Sequence, residues 1–275
     1  MTYATLMVHM ELGHPNTGLL KIAGDLAQRL HAGVIGIAAR QPLQMSYGDG
    51  YVAGDVYERD LDEITAQLKA AENEFRTALK ARVPVTEWRS SQTSAYLADY
   101  LASEARGADL ILTGAASGDF LDASRKVNTG ALIMQAGRPV LLVPTTASTL
   151  KLDRALVAWK DTRETRRAVS DALPLLKHAT AVTVAELATE YELGNARKRV
   201  DDVVAWLSRH GVKAEGLAQL STGDDAVALY ALGQDSGADV VVAGAYGHSR
   251  LREWVLGGVT RDLLLSANRC AFVSH

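Results

Sequence analysis

The feature that most constrains this chain is an internal echo. Ala108-Asp109-Leu110-Ile111-Leu112-Thr113-Gly114-Ala115 matches Ala238-Asp239-Val240-Val241-Val242-Ala243-Gly244-Ala245 in pattern and largely in identity. Further on, Ala136-Gly137-Arg138-Pro139-Val140-Leu141-Leu142-Val143 is answered by Ala267-Asn268-Arg269-Cys270-Ala271-Phe272-Val273-Ser274. Both pairs occur in the same order at nearly the same offset, which is how a duplicated unit reads. At 275 residues there is room for two small domains.

Hydropathy patterning gives each half the same plan. In the first, apolar strands are expected over Thr5–Met10, Val34–Ala39, Val85–Arg89, Leu110–Gly114 and Val140–Val143. Helical spacing covers Thr17–His31, Glu58–Ala81 and Ser94–Arg106, and a further helix precedes the last strand. In the second, strands are expected over Ala155–Trp159, Ala181–Glu186, Lys213–Gln219, Val240–Gly244 and Cys270–Val273. Helices fall over Arg163–Leu176, Asn195–His210, Asp224–Ser236 and Thr260–Ala267. Alternating strands and helices imply parallel pairing through right-handed crossovers. Continuous apolar strands such as Val240-Val241-Val242 fit a sheet covered on both faces. The expected fold class is α/β: two tandem doubly wound parallel-sheet repeats, over 1–146 and 152–275, joined by a linker at Pro144–Asp153. The segment Gln41–Val56, with Gly48, Gly50, Gly54, Tyr47 and Tyr51, reads as a surface loop or a lid.

Composition narrows the function classes. Net charge is −3, which gives no sign of nucleic acid or an anionic membrane as partner. Cys270 is the one cysteine, so intramolecular disulfides and Cys-based zinc cages are excluded. The N-terminal stretch lacks a signal-peptide pattern, and no apolar run approaches the roughly 18–20 residues of a membrane helix. A cytoplasmic location is expected. The seven histidines show no H-x3-H pair, and His9, Glu11 and His14 are the nearest thing to a metal cluster. No metal site is expected. No G-x-S-x-G elbow, G-x4-G-K-[S/T] loop, G-x-G-x-x-G turn or S-G-G-x-D-S run occurs. The basic runs at 163–167 and 197–199 lie among acidic neighbours and read as solvated helix faces.

The stretch richest in chemistry is Gly244-Ala245-Tyr246-Gly247-His248-Ser249, followed by Gly257-Gly258-Val259-Thr260. It follows a buried strand and precedes a helix, the place where open α/β sheets bind ligands. Glycines there let the backbone approach an anion, and the unpaired N–H groups of the next helix point at it. Thr260 adds a hydroxyl, and His248 and Ser249 reach toward further phosphates.

The spacing G-x2-G-x9-G resembles the nucleotide signature G-x2-G-x9-G-[S/T] of the universal stress protein family, and both halves show that family's strand order. The resemblance implies an adenine nucleotide α-hydrolase-like fold, with the last strands of the two repeats paired as a pseudo-dimer within one chain. It implies ATP, with or without Mg, around Gly244, Gly247, His248, Ser249, Gly257, Gly258, Val259 and Thr260. The adenine end would then lie near Ala158, Trp159, Lys160 and Asp161, with Val184 and Ala243 beside them. Two departures stand out: Gly258 replaces a Ser or Thr, and Lys160 replaces an acidic residue at the end of the first strand. Asp161 and Thr162 also fit a helix cap. In the first half, Gly114-Ala115-Ala116-Ser117, Lys126-Val127-Asn128-Thr129 and Val8-His9-Met10-Glu11 have lost the signature, so ordinary ATP binding is not expected there.

The implied function is a stress-response regulator or chaperone-like protein, with an unidentified protein partner, a possible further homodimer and at most slow ATP hydrolysis. No catalytic residue is assigned. Two other readings stay open: a nucleotide-free interaction scaffold, and a weak enzyme acting on a nucleotide through His248.

Overall fold

The computed structural model describes residues 2–43, 54–115, 125–245 and 269–275. Ten strands form a single sheet in the order β3-β2-β1-β4-β5-β10-β9-β6-β7-β8. The first-half strands are β1 (Thr5–His9), β2 (Gly33–Arg40), β3 (Thr86–Gln92), β4 (Leu110–Gly114) and β5 (Val140–Val143). The second-half strands are β6 (Arg154–Trp159), β7 (Ala181–Ala188), β8 (Ala214–Leu220), β9 (Val240–Gly244) and β10 (Cys270–Ser274).

Within each half every pairing is parallel, as apolar strands linked by helical crossovers require. The one antiparallel seam is β5 on β10, with Leu141 opposite Phe272. It covers two apolar edges that would otherwise invite association, and it makes the chain a pseudo-dimer of two five-stranded units.

One face carries α1 (Thr17–Leu30), α2 (Gly54–Leu79), α5 (Arg163–Leu176) and α6 (Leu193–Arg209), whose apolar stripes share one continuous core across both halves. The other face carries α3 (Leu97–Glu104) and α4 (Thr129–Gln135) over β4, β5 and β10. There α7 (Asp225–Asp235) brings Leu232 against a smaller cluster of Leu156, Ala185, Ala238 and Val241. Hydrogen bonds tie α5 to β10 and to the first half, and α1 to the linker. Ser274 Oγ donates to Asp171 Oδ2 at 2.6 Å, Tyr3 donates its hydroxyl hydrogen to the Asp171 carbonyl, and Arg29 donates to the Lys151 carbonyl at 2.6 Å.

The repeated Ala-Asp pair has a mechanical role. Asp109 Oδ2 accepts from the backbone N–H of Ala4 (2.8 Å) and Thr5 (3.0 Å). Asp239 Oδ2 does the same for Asp153 (2.8 Å) and Arg154 (3.0 Å). In each half the aspartate before the fourth strand thus clamps the start of the first.

Two sequence expectations need correction. Gly54, Asp55 and Val56 form the first turn of α2, which starts four residues before the expected Glu58. Gln41 follows the end of β2 but does not lie at the surface: it is buried and donates to the carbonyls of Ser94 (3.2 Å) and Ala95 (2.7 Å). The rest of that segment and the expected helix Thr260–Ala267 lie outside the described residues. Among the described residues no helix is long and apolar enough to cross a membrane.

Candidate functional site

The chain order reverses twice along the sheet, between β1 and β4 and between β6 and β9. Such switch points leave a crevice at the carboxyl ends of the two strands. The second crevice is bordered by Trp159-Lys160-Asp161 after β6 and by Ala243-Gly244-Ala245 at the end of β9.

The sequence-derived residues are placed as follows. Ala158 is half-buried, Trp159 and Ala243 are buried, and Lys160 and Asp161 are exposed. Val184 is wholly buried, its side chain part of the core beneath α5 and α6. Thr162 caps α5, its Oγ1 accepting from the Thr165 N–H at 3.3 Å. Asp161 Oδ1 receives Arg166 Nη1 at 2.5 Å. Glu164 is buried and pairs with Arg163. Burial opposes its charge, but the hydrogen bonds from Arg163, the backbone and Thr162 outweigh it and hold the carboxyl below the usual range. Gly247, His248, Ser249, Gly257, Gly258, Val259 and Thr260 lie outside the described residues.

Gly244 has a packing reason for its identity. A Cβ there would stand 2.4 Å from the Thr165 nitrogen and 2.6 Å from the Glu164 carbonyl carbon. The first turn of α5 therefore sits directly on the end of β9, an approach only glycine permits.

The strand register equates the first crevice with the second: His9 stands where Ala158 does, Glu11 where Lys160 does, Thr113 where Ala243 does. His9 is 8% exposed, and its Nδ1 shares a hydrogen bond with Thr113 Oγ1 at 2.9 Å. Burial lowers its pKa from 6.5 to about 4, so it is neutral at physiological pH. The space left between His9, Glu11, Thr113, Gly114 and Lys126 is about 30 Å³, room for a water molecule. The rim is braced by Arg125 Nη2 on Asp60 Oδ1 (2.6 Å), while Asp60 Oδ2 accepts from the Leu43 N–H (2.8 Å). Burial disfavours the Asp60 charge, yet these two bonds bring its pKa below the ordinary value.

Sequence reasoning left Glu11 unpaired with Lys160 and gave Asp60 and Arg125 no role. Superposing the two first strands on the echo at Leu110 and Val240 would have found the first. The second joins residues 65 apart by a contact with no periodic signal. Among the described residues no group of three or more His, Cys, Asp or Glu side chains is arranged to hold a metal.

No family model matches the chain, and no curated protein does so by sequence. Solved structures do. One is a universal stress protein from Archaeoglobus fulgidus DSM 4304, with a TM-score of 0.77 at 14% identity, covering 98% of this chain and 95% of that one. Another is a functionally unknown protein from Pseudomonas aeruginosa PAO1, with a TM-score of 0.65 at 15% identity, covering 99% and 92%. At these identities the likeness is one of fold, and it extends over both halves.

Proposed function

We propose that the chain is a tandem universal stress protein that holds an adenine nucleotide in its second half and serves as a stress-response regulator or chaperone-like binding protein. The observation that carries this reading is the whole-chain fold likeness, taken with a G-x2-G-x9-G run that begins on the last residue of β9, at the switch point.

The difference between the two crevices supports the choice of half. In the first, the His9–Thr113 pair fills the mouth and leaves space for little more than a water molecule. In the second, Ala158 and Ala243 occupy those positions, so only two methyl groups stand where the first has an imidazole and a threonine side chain. Lys160 is exposed at the end that the resemblance assigns to adenine, with no ion pair to a described residue. If Mg accompanies ATP, it supplies charge neutralisation for the phosphates.

Hydrolysis is slow at most on this reading. The carboxylates near the mouth are engaged, Asp161 by Arg166 and Glu164 by Arg163, so neither stands ready as a base or a metal ligand. Equilibrium dialysis with labelled ATP tests the assignment: one nucleotide per chain is expected in the wild type and none in Gly247→Trp. Two per chain, or retention by that variant, would place the nucleotide elsewhere.

A further inference from the structure

The two outer edges of the sheet are built differently. The strand registers equate β3 with β8, Trp88 falling where Gly216 does and Arg89 where Leu217 does. On β3, Trp88 packs on Phe75 with ring centroids 5.5 Å apart, and Arg89 is held by Glu87 (2.7 Å) and Glu104 (2.8 Å). Charged side chains on an outer strand guard against edge pairing. On β8 the only charged residue is Glu215, and Leu217 and Leu220 stand 36% and 45% exposed.

The backbone of β8 shows which groups are free. Val182 donates its N–H to the Lys213 carbonyl at 3.0 Å, and Ser221 donates to the Ala188 carbonyl at 2.8 Å. The odd-numbered residues between them therefore face β7, while Ala214, Gly216, Ala218 and Leu220 turn their N–H and C=O groups outward. Among the described residues β7 is the one strand paired with β8. Gly216 faces α6, where a Cβ would stand 2.5 Å from Val200 Cγ1, and by alternation Ala214 and Leu220 share that face. There α6 and the start of β8 border an open groove of about 800 Å³, lined by Val182, Val204, Ser208, Val212 and Ala214.

We propose that β8 pairs antiparallel with β8 of a second copy of this chain, about a two-fold axis through Leu217. This register pairs all 7 residues of the strand. Gly216 lies opposite Ala218 of the second copy, and Ala214 opposite its Leu220. These are the residues with outward backbone groups, so each pair exchanges two hydrogen bonds. Leu217 meets Leu217 at the non-hydrogen-bonded position, where side chains come closest. Glu215 falls opposite Gln219, and Lys213 opposite Ser221, so no like charges meet along the strand. Leu220, on the α6 face beside Ala214 of the other copy, is set at the mouth of the groove. The contact is self-complementary, as a two-fold requires. It repeats the way the chain already extends its sheet, β5 against β10. The pairing is independent of the nucleotide assigned to the crevice.

The test is sedimentation velocity of the full chain from micromolar to submillimolar concentration. The wild type should associate reversibly to a dimer. Leu217→Lys sets two like charges on the axis, and Ala218→Pro removes an outward N–H whose loss costs the single chain no ladder bond. Each should weaken dimerisation by about tenfold, with circular dichroism unchanged. Leu217→Cys reads the register directly. Facing residues at a non-hydrogen-bonded position bring their Cα atoms to about 4.5 Å, within disulfide reach. On mild oxidation this variant should run as a covalent dimer and Gln219→Cys should not, Cys270 being buried. A monomer at every concentration, a dimer untouched by both substitutions, or cross-linking through Gln219→Cys in preference to Leu217→Cys would overturn the proposal.

Discussion

At the scale of single residues, the first crevice differs from the second in the paired side chains of His9 and Thr113, where the second has Ala158 and Ala243. His9 is held neutral by burial, with its pKa near 4 against 6.5 in the unfolded chain. Its sign follows from linkage: between these values the unfolded chain takes up a proton and the folded one does not. Stability is therefore fully present above about pH 6.5 and drains away as pH falls toward 4, by roughly 3 kcal/mol from this group. Denaturant melts from pH 7 to pH 4 should show a shallower loss for His9→Gln than for the wild type; parallel curves would remove His9 from the account. At Gly244, a methyl group would collide with the backbone of Thr165 and Glu164. Gly244→Ala should lose about 1–3 kcal/mol, the range for overpacking at a rigid contact. A neutral result in chemical denaturation would mean that α5 can move away.

At the scale of elements, the apolar strands were the most legible part, because a strand buried on both faces needs an unbroken apolar run. Leu110–Gly114, Val140–Val143 and Val240–Gly244 fall where hydropathy put them. The helix Arg163–Leu176 does too, since Thr162 gives its start a chemical marker. The start of α2 was not legible: Gly54 is a poor helix former, and neighbouring tyrosines and glycines imitate a loop. The aspartate clamps were hidden as well, because Asp109 and Asp239 carry no signal of which distant N–H groups they bind. Asp109→Ala and Asp239→Ala should each cost about 1.5–3 kcal/mol, as for backbone bonds to a charged acceptor. Their effects should add in the double variant to within about 0.5 kcal/mol, the sites being far apart with no shared partner. Strong non-additivity in urea melts would mean that the clamps communicate through the sheet.

At the scale of the whole molecule, the duplicated sequence dictated the two five-stranded units, and the apolar last strands dictated the seam. The pairing of β5 with β10 matches what the resemblance implied, and the structure adds that it is antiparallel. Which crevice takes a ligand was only half legible. The glycine spacing marked the second, but the plug formed by His9 and Thr113 in the first required the strand register.

The central claim is that the second half binds ATP. The most direct measurement is the thermal unfolding of the wild type and of Gly247→Trp, each with and without millimolar Mg-ATP. At about 100-fold over the dissociation constant, the nucleotide should add roughly 2.7 kcal/mol to the wild type and nothing to the variant. An unchanged melting temperature in the wild type, or an equal rise in the variant, would contradict it.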